Sequence, residues 1–349
     1  MNDKKMTSYE RVMTALSGGQ PDRVPVIPMV RGWCAKQVGF RFCDIMASIE
    51  KFVYTQYFCL RHFGYDAVWD LYGIHAESEA MGSVLKLPED MPPSVTDHVV
   101  EDYGNDLGKL RIPDPHKDGR LPFILEGIKR LKELCKEEYA VIGYAQGPFR
   151  HASMLRGPEN VMRDTFKKPK QLKELLEIAT ESQIKYVTAV AQAGADIVFL
   201  ADPTSSGDAV SRATWEEFGL PYTKRVFDAI KKTGVKNFLH ICGDTGDRLD
   251  SLAATGADGL SLDQKTDLSK AREILGDSIC LIGNVDPVKA LLFGNPENVS
   301  KESENCIRSA GQKGSFILCP GCIVPPEAPS ENVQAMVDTA KKIGLYPLD

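Results

Sequence analysis

Eight times along this chain a short apolar run ends in glycine, proline or a polar residue and gives way to a stretch with helical periodicity. The runs cover residues 25–30, 67–72, 139–145, 195–201, 237–242, 258–263, 279–285 and 315–319. Several lack polar alternation, the pattern of parallel strands covered on both faces. Between them, Leu172, Leu175, Ala179, Tyr186 and Val190 keep one apolar helical face, and Gly194 is placed to end that helix. Ahead of the first run, Thr7 and Glu10 fit a capping box, Val12, Met13 and Leu16 supply an apolar face, and Gly18-Gly19 stop it. Eight strands alternating with helices over 349 residues predict an α/β fold, a (β/α)8 TIM-like barrel with N-terminal helical additions, as one domain over residues 1–349. The rival is a doubly wound open sheet, but no strand-to-helix turn carries a G-x-G-x-x-G or P-loop pattern.

A barrel of this kind places its chemistry at the carboxyl ends of its strands. The polar residues found there are Arg31, the 146–151 segment, Asp202, His240 with Cys242, Asp263, Asn284 with Asp286, and Cys319 with Cys322. Forty-two Lys and Arg against 48 Asp and Glu leave a net charge of −6, which argues against a general nucleic-acid binder. No uninterrupted apolar run approaches the roughly 20 residues of a membrane span, so no membrane association is expected. The opening Met1-Asn2-Asp3-Lys4-Lys5 is polar and no apolar signal region follows, so the expected location is cytoplasmic. Nine cysteines, an odd number in a large chain, fit reduced thiols better than a disulfide framework.

His240-Ile241-Cys242 is the most informative triplet. Residues two apart on a strand point to one face, so an imidazole and a thiol project together into the barrel mouth. Cys319-Pro320-Gly321-Cys322 follows the last strand and returns to the same rim. Nitrogen and sulfur donors converging from separate strands are what Zn²⁺ selects. Three readings stand at this point: buried packing residues, a closed structural zinc on His240, Cys242, Cys319 and Cys322, or a catalytic zinc with three ligands. A Cys319–Cys322 redox pair lacks a thioredoxin-like context. Glu77 and Glu79 read as the solvated face of a strand.

The segment Glu10-Arg-Val-Met-Thr-Ala-Leu-Ser-Gly-Gly-Gln-Pro-Asp-Arg-Val-Pro25 resembles the opening signature of the uroporphyrinogen decarboxylase superfamily. Gly147-Pro-Phe-Arg-His-Ala-Ser-Met-Leu-Arg-Gly157, Ala201-Asp-Pro-Thr204, Gly283-Asn-Val-Asp-Pro287 and Pro320-Gly-Cys-Ile-Val-Pro-Pro-Glu-Ala-Pro329 follow in order. The resemblance spans nearly the whole chain and implies one distorted (β/α)8 barrel. The decarboxylases carry an Arg-Gln-Ala-Gly-Arg segment where this chain has Met29-Val-Arg-Gly-Trp-Cys34, with one arginine, Arg31, in place of two. Their essential Asp falls at Gly73, and their Gly-His-Gly is here Pro-Gly-Cys. The chain is more similar to the other branch, the zinc-dependent corrinoid methyltransferases, whose His-x-Cys…Cys motif maps onto His240, Cys242 and Cys322. Cys319 competes for the third place.

That resemblance implies methyl transfer between a corrinoid and a small substrate, with a thiol such as coenzyme M the leading acceptor. A free thiol, with a pKa near ~8.5, is mostly protonated at neutral pH, and coordination to Zn²⁺ removes the proton. Asp263 is a candidate for the fourth zinc position when substrate is absent, or else caps the next helix. Asp202 orients substrate or His240, or marks a plain turn. Arg31 and His151 are the candidate substrate contacts, His151 with a packing role as its alternative. No Asp-x-His-x-x-Gly signature for cobalamin is present, so the corrinoid is expected on a partner protein. Three alternatives remain: demethylation of a donor toward the corrinoid, a metal-free decarboxylase, and a binding subunit built around structural zinc.

Overall fold

The computed structural model describes residues 5–70 and 72–348. Among these residues nine strands occur in chain order: β1 (Ala67–Trp69), β2 (Val84–Lys86), β3 (Ser94–Asp97), β4 (Ala140–Gln146), β5 (Ile197–Ala201), β6 (Lys236–Ile241), β7 (Gly259–Leu262), β8 (Cys280–Val285) and β9 (Phe316–Pro320). Seven form one parallel sheet in the order β1-β4-β5-β6-β7-β8-β9, while β2 and β3 pair as a separate antiparallel ladder. The order follows the chain, with helices between consecutive strands of the large sheet, as right-handed crossovers require. Each of these seven strands lies in one of the predicted runs to within a residue or so. The run at 67–72 is cut short, with a strand only to Trp69 and with Leu71 outside the described residues.

The first run, 25–30, forms no regular strand, because Pro25 and Pro28 have no N–H to give to a ladder. It nevertheless touches both edges of the sheet. Val26 bridges Leu318 of β9 in parallel, Ile27 N donates to Leu318 O at 2.9 Å, and Asp66 N, just before β1, donates to Val26 O at 2.9 Å. The sheet thus curls until an extended segment spans its two edges, an arrangement consistent with a TIM-like barrel. The helix Ser8–Leu16 precedes that segment, with the Thr7/Glu10 capping box formed in both directions.

Inside the curl, Trp69, Phe199 and Phe238 pack as one aromatic layer, with ring centroids 5.5 Å apart for Trp69–Phe199 and 4.9 Å for Phe199–Phe238. Side chains alternate along β6, so His240 stands on the same inward face as Phe238, one layer nearer the carboxyl ends. Glu77 corrects the expectation of a solvated strand face. It lies on the short helix Ala76–Ala80 and is buried, accepting from Gln146 N at 2.9 Å and Gln146 Nε2 at 3.1 Å. Buried amide partners give its carboxyl a place that the sequence pattern could not show. No helix among the described residues is long and apolar enough to cross a membrane.

Asp66 ties the spanning segment to β1. It is fully buried and takes hydrogen bonds from Arg11 Nη1 (2.9 Å), Arg23 Nη1 and Nη2 (both 2.8 Å), Ser8 Oγ (2.7 Å) and Val26 N (2.8 Å). Removing one partner of such a cluster strands buried cations. Asp66→Ala should cost about 3–5 kcal/mol in urea unfolding. A loss below ~1 kcal/mol would mean that main-chain bonds alone hold the segment.

Candidate metal centre

β6 and β7 are in register with His240 opposite Ser261. His240 Nδ1 lies 3.1 Å from both Ser261 O and Ser261 Oγ, and the imidazole is buried. A nitrogen facing a carbonyl carries the proton, which leaves Nε2 with its lone pair free. That nitrogen lies 3.3 Å from Cys242 Sγ, which in turn lies 3.7 Å from Cys322 Sγ. The ligand atoms of His240, Cys242 and Cys322 all fall within 4.8 Å of one another.

These separations can be set against the shell of a zinc ion. Ligands at about 2.3 Å for sulfur and about 2.0–2.1 Å for nitrogen, in a tetrahedron, stand about 3.8 Å apart for two sulfurs and about 3.5 Å for a sulfur and a nitrogen. The observed 3.7 and 3.3 Å fit that shell. The donor chemistry fits as well, with soft thiolates and an imidazole whose tautomer a carbonyl selects. Of the two sulfurs, Cys322 is pushed down to about 4 by the hydrogen bond from Cys242 and by His240, against burial, while Cys242 is correspondingly pushed up.

Cys319 stands apart from this group. It sits within β9 opposite Asn284, is fully buried, and burial pushes its thiol up. Cys322 reaches the mouth through the turn at Gly321, whose N–H donates to Val285 O at 2.8 Å. A Cβ on Gly321 would fall 2.4 Å from Gln264 N, so only glycine lets the turn pass this close to the β7 loop.

Asp263 bonds main chain. Its Oδ2 accepts from Gly243 N at 2.8 Å and its Oδ1 from Lys265 N at 3.0 Å, so the turn just after Cys242 is fastened to β7. Asn284 Nδ2 donates to Asp263 O (3.0 Å) and Thr266 O (2.7 Å), bracing the same loop. Asp202 is fully buried beneath Gly147, where a Cβ would come within 2.4 Å of its Oδ2, and faces the Phe149 and Arg150 amides of the helix Pro148–Arg156. His151 is also fully buried, with Nδ1 2.9 Å from Gln183 Nε2, and does not line the cavity next to the sulfurs. Burial holds its imidazole down to about 4.

That cavity measures about 130 Å³ and opens onto His240, Cys242 and Cys322, with Met29, Ile74, Phe199 and Ile323 as apolar wall and Arg31 and Arg150 as its charged members. The family profile described as uroporphyrinogen decarboxylase (URO-D) matches residues 7–343. The chain belongs to the uroporphyrinogen decarboxylase family. Within it, the chain is 33% identical over 343 residues to the methylcobamide:CoM methyltransferase MtbA of Methanosarcina acetivorans, covering 96% of this chain and 99% of that one. It is 28% identical over 349 residues to the uroporphyrinogen decarboxylase of Carboxydothermus hydrogenoformans, covering 95% and 96%. A solved structure of a methyltransferase from Methanosarcina mazei superposes with a TM-score of 0.89 at 29% identity, covering 97% of this chain and 99% of that one.

On this family scaffold the structure brings together His240, Cys242, Cys322 and Arg31 and leaves His151 outside. Arg150 lines the cavity too, and within the 146–151 segment the sequence did not single it out. It adjoins His151 in the quoted Gly147–Gly157 stretch, but neighbours on a helix point about 100° apart, and only packing decides which one faces the cavity.

Asp202 yields a test. Burial raises its carboxyl from 3.8 to about 6, against the helix amides. A carboxyl raised in the fold stabilises most below its ordinary value, and that contribution is lost as pH rises through about 6. Asp202→Asn should therefore flatten stability between pH 3.8 and 6 and exceed the parent by about 1–3 kcal/mol at neutral pH. Urea unfolding across that range measures both.

Proposed function

We propose that this chain is a zinc-dependent methyltransferase that moves a methyl group between a corrinoid carried by a partner protein and a small thiol, coenzyme M being the leading example. The observation that carries this reading is the convergence of one imidazole and two thiols, at spacings that suit zinc, on the wall of a small, largely apolar cavity. Similarity to a methylcobamide:CoM methyltransferase along nearly the whole length supports the corrinoid and thiol assignments. We take the fold as a (β/α)8 barrel in one domain, with residues 25–30 at the first strand position and the helix Ser8–Leu16 as an N-terminal addition. All nine cysteines are free, which supports a cytoplasmic enzyme.

His240, Cys242 and Cys322 would hold the zinc, which when bound supplies the positive charge that keeps an incoming thiol deprotonated. The rest is work for the chain. Ser261 keeps the His240 proton on Nδ1 and so directs Nε2 at the sulfurs. Asp263 acts as a positioning residue, because it holds the Gly243 turn from which Cys242 projects. Asp202 positions the first turn of the helix that carries Arg150. Apolar Met29, Ile74 and Phe199 exclude water, which would otherwise solvate the thiolate and weaken it as a nucleophile. Arg31, on the cavity wall, would contact the substrate.

Purified protein should carry about one zinc per chain, lost in His240→Ala and Cys322→Ser and kept in Cys319→Ser. With methylcobalamin and a thiol, the change in corrinoid absorbance should report demethylation by the loaded protein only. Chelation should abolish that signal and leave the circular dichroism unchanged, whereas a structural zinc would take the fold with it. Turnover of uroporphyrinogen by chelated protein would overturn the assignment.

A further inference from the structure

Five arginines are exposed among the described residues, and four of them reach a carboxylate. Arg41 pairs with Asp44 (3.2 Å), Arg61 with Glu138 (3.0 Å), Arg111 with Asp118 (2.7 Å) and Arg308 with Glu304 (2.8 Å). Arg163 is the exception. Its guanidinium meets the Asn160 side chain and has no acid within ion-pair distance among the described residues. It stands on the helix Pro158–Lys167, and Lys167, Lys168 and Lys170 follow it, likewise without an acid partner among the described residues. The one acid between them, Asp164, is buried and already accepts from Arg156 Nε (3.1 Å) and the Tyr103 hydroxyl (2.9 Å). Four unpaired positive side chains thus fall within residues 163–170 of a chain whose net charge is −6.

Among these cations stands Phe166, 84% exposed, the most exposed large apolar side chain among the described residues. Val161 and Met162 of the same helix pack into a buried cluster with Phe149, Leu155 and Leu172, which leaves the Phe166 ring outside it. The patch lies at the mouth end of the barrel. The next helix, Pro169–Gln192, has 24 residues and spans about 36 Å, ending just before β5 at the amino side of the sheet. β4 has seven residues and spans only about 23 Å. The start of that helix therefore lies beyond the carboxyl ends of the strands, where the cavity opens. The same connection from β4 to β5 carries Arg150 to the cavity wall.

Unpaired cations around an exposed aromatic ring suit a protein with an acidic face, because opposite charge steers the encounter and the ring anchors it. A nucleic acid would be drawn to the cations but repelled by the acidic balance of the whole chain. A helix that lies on a membrane presents a continuous apolar face, whereas the apolar side of Pro158–Lys167 is packed against the protein. We propose that residues 163–170 are the docking surface for the protein that carries the corrinoid, and that this partner presents an acidic face with an apolar hollow for Phe166. This rests on the proposed methyl exchange with a protein-bound corrinoid and adds to it the surface that receives the carrier.

The test compares two methyl donors on the zinc-loaded full chain: free methylcobalamin, and the methylated corrinoid protein of the source cells, purified by its cobalamin absorbance. The triple variant Arg163→Glu, Lys167→Glu, Lys170→Glu should slow transfer from the protein donor by about tenfold or more and leave transfer from free methylcobalamin unchanged. Lys168 is spared because it lies over the Tyr103 ring (5.7 Å). Added salt should slow the parent with the protein donor only. Sedimentation velocity, followed at the cobalamin absorbance, reads the complex without any chemistry. There Phe166→Ala should weaken binding by about fivefold or more, and the triple variant should abolish it. If the complex forms and is lost in the variants while no methyl group moves from either donor, the exchange reading fails and the docking surface stands. Four results overturn the surface: no complex with the parent chain, a complex that the variants leave unchanged, equal loss with both donors, or parent binding to phosphatidylglycerol vesicles that the triple variant loses while it keeps the corrinoid protein.

Discussion

One pair of oxygens on β7 governs the mouth of the barrel. Ser261 stands opposite His240, and its carbonyl and hydroxyl both meet Nδ1, so the other ring nitrogen faces the sulfurs with its lone pair. This depends on the pairing of β6 with β7. A slip of one residue would turn the imidazole away from the interior and remove the Ser261 oxygens from its reach. The aromatic layer of Trp69, Phe199 and Phe238 beneath it secures that register by burying the same inward face.

The sulfurs sit where regular structure ends, Cys242 on the residue that follows β6 and Cys322 on the turn after β9, and such ends need bracing. Asp263 and Asn284 supply it by bonding main-chain groups of the loops beside Cys242, and Gly321 supplies it through a close approach that no Cβ allows. Polar residues at the strand ends therefore fall into two physical classes. Some present free donors or lone pairs to the cavity, while others bond the backbone of the loops beside it. Asp263 makes such backbone bonds, with Gly243 N and Lys265 N.

Charge divides along the same line. Elsewhere in the protein, buried arginines are matched to carboxylates, as in the Arg11–Asp66–Arg23 cluster that joins the spanning segment to β1. Arg31, on the cavity wall, is the buried arginine without an acid at ion-pair distance among the described residues.

The strand pattern was legible from the sequence because burial on both faces writes itself into residue type: seven of the eight runs carry regular strands, and the exception has two prolines. The His240 and Cys242 pairing was legible too, since strand geometry alone puts residues two apart on one side. Cys322 and Cys319 could not be separated in this way, because the choice rests on how the Gly321 turn passes Gln264. Nor could Arg150 be distinguished from His151, or Glu77 be recognised as buried. Periodicity along a chain reports which residues avoid water, and so it determined the elements and their order. Which polar side chain meets which partner depends on contacts between residues distant in sequence, such as Asp202 under Gly147 and Ser261 beside His240, and those only the tertiary structure decided.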